Sequence, residues 1–117
     1  NQTDARAKAV REVVRIAKET KKFIAIAPEG QDHPGGILGS PPAGIGRFLY
    51  QLTRFRERII PVGVYEDENV LCFHFGPAFK LDISIPTNPL ERDRLVSRYI
   101  MEAIACLVPS GMRGDYG

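Results

Sequence analysis

The 117-residue sequence has no tryptophan, two cysteines and two histidines. Cys72 and Cys106 are too few for the disulfide frame of a small secreted domain, and they make no short-spaced pair of the kind that holds zinc. Free, mostly buried thiols are expected. There is also no large excess of positive or negative charge. Sixteen Lys and Arg stand against fourteen Asp and Glu, a net +2, so bulk charge gives no argument for nucleic acid. No apolar run approaches the roughly 20 residues that cross a bilayer, and the charged N-terminus is unlike a signal peptide.

What is present suits a globular domain: 44% apolar and 26% charged residues. Val10, Val13, Val14 and Ala17 recur at helical spacing behind Thr3, a capping residue, and predict an amphipathic helix from Thr3 to about Lys21. Its surroundings hold a local basic surplus, seven basic against three acidic side chains over Asn1 to Lys22. Phe23 to Ala27 is a continuous apolar run of the kind that suits a strand buried on both faces. Pro28 to Pro42, rich in Gly and Pro, reads as a long loop. Ser40 as cap and Pro41 at the first helical position predict a second helix carrying Ile45, Phe48, Leu49 and Leu52, to about Phe55. Ile59 to Tyr65 and Val70 to Phe75 read as strands joined by the polar turn Glu66 to Asn69. Asn88, Pro89 and Glu91 open a last helix with Val96, Ile100, Ile104 and Leu107, stopped by Pro109.

The expected fold is α/β: a sheet of at least three strands with a βαβ crossover and a hairpin, flanked by three helices. Residues 1–109 are expected to make one domain or part of one, and 110–117 a flexible tail. The chain begins at Asn1 rather than a methionine, which suggests further sequence upstream.

The long loop leaves a strand and leads to a helix N-terminus, where α/β proteins bind ligands. Nucleotide signatures fail there: Gly35 to Ser40 lacks the P-loop lysine, and Gly44-Ile45-Gly46 is followed by Leu49 where a third glycine belongs. Cys72 and His74 share a strand face, yet no further metal ligands accompany them, so no metal is expected.

Pro28-Glu29-Gly30 resembles the Phe-Pro-Glu-Gly-x-Arg block of the glycerophospholipid acyltransferases, the enzymes that acylate glycerol 3-phosphate and lysophosphatidic acid. Three further blocks follow in order. Gly44, fifteen residues after Glu29, opens a helix continued by Arg47 and Leu49. Ile59-Ile60-Pro61-Val62 resembles the family's Ile-Val-Pro-Val strand, and Phe75-Gly76-Pro77 with Phe79 its Phe-Gly-x-Pro phrase. The similarity spans roughly Phe23 to Phe79, the second half of the family's catalytic domain.

The resemblance implies the acceptor-binding half of a phospholipid or glycerol acyltransferase. Its substrate-binding residues would be Glu29, Gly30, Gly44, Arg47 and Pro61. The acyl donor would be acyl-CoA or acyl carrier protein, the acceptor a lipid or glycerol-phosphate hydroxyl, and no cofactor is called for. The family's catalytic His-x-x-x-x-Asp is absent, because Leu38 stands five residues after His33 and Phe79 five after His74. No catalytic residue is therefore assigned, and the chain alone is expected to be inert. Asp32 replaces the motif arginine, and Pro42 and Ala43 stand where lysines often do, which disfavours a phosphate there. Glu29 either shapes the acceptor site or caps nearby amides. Arg47 either takes over from the missing arginine or is an exposed helix residue. The alternative is a non-catalytic ligand-binding or assembly module with an acyltransferase-like fold. Expected partners exclude nucleic acid and include a second copy of the chain and peripheral membrane contact. The expected location is cytoplasmic or at the cytoplasmic membrane face.

Overall fold

The computed structural model describes residues 2–29, 36–81, 84 and 86–117, apart from the side chains of residues 2 and 3. The elements run α1 (Gln2–Glu19), α2 (Ile45–Leu52), β1 (Val62–Asp67), β2 (Val70–Phe75) and α3 (Pro89–Ala105), with 3₁₀ turns at Ser110–Met112 and Gly114–Tyr116.

α1 ends because Thr20 turns back on it. The Thr20 hydroxyl donates to the Ile16 carbonyl at 2.7 Å, and its amide donates to the same oxygen at 3.0 Å. Arg56, beyond α2, supplies a second stop: its Nε donates to the Ala17 carbonyl at 3.2 Å and its Nη2 to the Thr20 carbonyl at 2.9 Å. A guanidinium at a helix C-terminus both satisfies orphan carbonyls and meets the negative end of the helix dipole. Ala17 is buried beside this junction, whereas Val10 remains exposed.

The expected sheet of three or more strands with a βαβ crossover does not form. Among the described residues there is one sheet, the antiparallel pair β1 and β2. Phe23 to Ala27 is without strand assignment, and Phe23 is 97% exposed. The apolar run marks a segment suited to burial, but a strand exists only through a hydrogen-bonded ladder, and among the described residues none runs beside this one. An antiparallel hairpin does form, but with a tighter turn than expected: Glu66 and Asp67, expected in the turn, are the last residues of β1 and pair with Leu71 and Val70. Val70–Phe75 keeps its bounds, and the two-residue turn places Glu68 at φ 50° and Asn69 at φ 65°, the left-handed pair that a right-twisted hairpin favours. β1 starts at Val62 rather than Ile59 because Pro61 has no N–H to give a ladder. Ile59 makes only an isolated bridge to Phe79, with N–O distances of 2.8 and 2.9 Å.

α3 opens as its sequence dictates: the Asn88 side chain accepts from the Leu90 amide at 2.9 Å and the Glu91 amide at 3.2 Å, with Pro89 at the first turn. Val96, Ile100, Met101 and Ala105 on this helix form most of the core, with Leu52 of α2 and Val108. α2 crosses α3 closely at Gly46, where a Cβ would lie 2.0 Å from the Asp93 carbonyl oxygen. The last residues, expected as a flexible tail, return to the body. The Leu38 amide donates to the Met112 carbonyl at 2.9 Å, and Arg98 stacks over Tyr116 at 5.7 Å.

Candidate functional site

Glu29 is tied to Gly39. Its Oε2 accepts the Gly39 amide at 2.8 Å, joining residues ten apart, so Glu29 does cap an amide. Gly30, Asp32 and His33 lie outside the described residues, and the expectations placed on them have no structural counterpart here. Beyond the loop, α2 begins at Ile45, later than the Ser40 and Pro41 start that the sequence suggests. Its N-cap is Gly44 at φ 98°, which has no side chain to cap with. The cap comes from α3. Asp93 Oδ2 accepts the Gly44 amide at 2.8 Å and Oδ1 accepts the Arg47 amide at 3.0 Å.

This capping carboxylate changes what the helix end can do. An exposed N-terminus attracts external anions through free amides and the helix dipole. Here a buried carboxylate from the same chain already occupies two of those amides. The burial of Asp93 is stabilised in return, since its charge meets two charge-assisted hydrogen bonds.

Beside this junction is an open cavity of about 350 Å³, lined by Ala43, Gly44, Arg47, Asn88, Pro89, Leu90 and Asp93. Two of the residues expected to bind substrate, Gly44 and Arg47, therefore meet in one place. Glu29 and Pro61 do not line it. Pro61 is buried at the start of β1, where its carbonyl accepts the Gly76 amide at 2.9 Å and its ring would lie 3.0 Å from a Cβ on Gly76. It thus joins the third and fourth resemblance blocks rather than the cavity. Asp93 and Arg56 went unnoticed in the sequence. Asp93 precedes Val96 and Ile100 by three and seven residues, on the stripe that faces the core, and a carboxylate in an apolar stripe is a signal for a capping role. Nothing local marks Arg56, whose partners are 36 and 39 residues away.

The cavity can hold a small polar or anionic group through the exposed Arg47 guanidinium. Among the described residues that line it there is no general base: none is a histidine, and both oxygens of Asp93 accept backbone amides. His74 lies on the hairpin, its Nδ1 3.2 Å from the Leu107 carbonyl oxygen. Arg92 is fixed nearby over the Tyr50 ring at 5.3 Å, donating also to the Pro86 carbonyl at 3.1 Å. The carboxylates held below their ordinary range are elsewhere, on the solvent side. Glu12 is lowered by its hydrogen bond to Arg15, and Glu57 by its hydrogen bond to Lys80. Among the described residues no group of three or more His, Cys, Asp or Glu can hold a metal ion, and no helix is long and apolar enough to cross a membrane. Comparison with protein-family models, curated proteins and solved structures finds no match.

Proposed function

We propose that this chain is the acceptor-binding half of a phospholipid or glycerol acyltransferase, with acyl-CoA or acyl carrier protein as donor and a lipid or glycerol-phosphate hydroxyl as acceptor. The observation that carries the reading is the meeting of Gly44 and Arg47 at one cavity. Glu29 holds Gly39, and the chain then passes into Gly44 and Arg47, which line the cavity. This supports Arg47 as the cation that meets the acceptor's phosphate, with Glu29, outside the cavity lining, holding the backbone that leads to it. The location that goes with this reading is cytoplasmic or at the cytoplasmic face of a membrane.

The test is a titration of ¹⁵N-labelled protein with glycerol 3-phosphate. Millimolar binding, shifting the Gly44 and Arg47 amides and lost in Arg47→Ala, is the expected result. Unchanged amides at saturating ligand in the folded protein would remove the acceptor reading.

A non-catalytic binding or assembly module is the second reading. The occupation of the α2 amides by Asp93, which leaves fewer free donors for an anion, favours it. Glycerol without phosphate separates the two, since an acceptor site should prefer the phosphorylated form in an Arg47-dependent way.

A further inference from the structure

Among the described residues, the body of the chain packs against one face of the hairpin. Gly63, Tyr65, Cys72 and His74 share the face turned to the end of α3, where a Cβ on Gly63 would lie 2.4 Å from the Leu107 carbonyl oxygen. The register Val62↔Phe75, Val64↔Phe73 and Glu66↔Leu71 places those six side chains on the opposite face. There Val64 is 49%, Leu71 56%, Phe73 57% and Phe75 67% exposed, and Ile60, two residues ahead of Val62, is 54% exposed. With about 200 Å² for a whole aromatic side chain and somewhat less for an aliphatic one, this face presents about 500 Å² of apolar surface. Contiguous patches of that size mark interaction sites.

We infer that this face is the contact of a two-fold dimer, hairpin packed on hairpin. Two such faces together bury about 1,000 Å², the lower bound for a specific interface, so the dimer is a weak one. A second copy suits the face because its centre is free of charge and so opposes no like charges across the axis. Glu66, its one ionisable residue, stands near the turn. With the axis running across the strands, the two Glu66 carboxylates fall at opposite ends of the contact. The exposed Phe73 and Phe75 rings then interleave with Val64 and Leu71 of the other copy, as the inner faces of two packed sheets do.

Sedimentation equilibrium across the micromolar range is expected to show a monomer–dimer equilibrium. Phe73→Lys and Phe75→Lys should each weaken it by about tenfold or more. Both side chains are largely exposed in the protomer, so circular dichroism and the thermal transition should show the fold retained. Leu90→Lys, equally exposed but on α3, should leave dimerisation unchanged. For the wild-type chain, isotope-filtered NOEs in a mixed-label dimer should link the Phe73 ring to the other copy's Val64 methyls. A monomer throughout the range, a dimer indifferent to both lysine variants, or a dimer without those NOEs would overturn the inference.

Discussion

Gly44 and Gly46 stand two residues apart and are glycines for different reasons. At Gly44 a side chain would meet nothing within 4 Å, and the constraint is its φ of 98°. The close approach that the sequence suggests for Gly44 falls instead on Gly46, against the Asp93 backbone. Gly44→Ala should therefore cost about 1–2 kcal/mol of backbone strain. Gly46→Ala should cost more, since α2 and α3 must part to admit a methyl group. Urea unfolding of the two variants orders them, and equal losses would show that the helix crossing has slack. Asp93→Asn keeps the size of the side chain but turns an NH₂ toward an amide N–H. A loss of about 1–3 kcal/mol is expected, with faster amide exchange at Gly44 and Arg47.

At the scale of elements, α1 depends on Arg56 more than on its own composition. Its valine stripe is narrow, and the guanidinium bonds to its last carbonyls tie it to the segment after α2. Arg56→Met preserves the length of the side chain and removes the donors. It should fray the end of α1 and lower stability by about 1–3 kcal/mol, read as lost helicity and faster exchange near Ala17 to Thr20. The surface pairs act more weakly and with a definite sign. Lys80 holds Glu57 below the ordinary carboxylate value of 4.5, so the pair stabilises the fold above that pH. That contribution fades as pH falls through the lowered value. Melting temperature measured from neutral to acid pH should drop slightly less in Glu57→Gln than in the wild type. An identical profile would mean that solvent screens the pair completely.

At the scale of the whole molecule, a radius of gyration of 14.7 Å exceeds the about 13 Å of a compact domain of this length. The core gathers around α3, leaving the outer hairpin face and Phe23 to solvent, with Ile24 and Ile26 half-buried. Binding and turnover should separate accordingly. The purified chain is expected to move no acyl group from acyl-CoA to glycerol 3-phosphate or lysophosphatidic acid, because a positioned base typically contributes about 10²- to 10⁴-fold. Turnover abolished by Glu29→Ala would place the catalytic centre on the loop instead.

Local chemistry made part of this architecture legible in the sequence. The Asn88-Pro89 start of α3, the periodic valines of α1 and the short polar turn between Val70–Phe75 and its partner act over a few residues, and each appears in the structure. Gly44 and Arg47 line one cavity because they sit within a turn of each other at the start of α2. What needed the tertiary structure is whatever depends on a distant partner. Phe23 to Ala27 carries the composition of a buried strand, yet a ladder requires a second strand that its own residues cannot specify. The cap of α2 comes from Asp93, 49 residues beyond Gly44, and the stop of α1 from Arg56, 36 residues beyond Thr20. A carboxylate or guanidinium has the same sequence signature whether it is solvated or holds another helix's end. Only the folded chain, by bringing donors within 3 Å of acceptors, decides which it is.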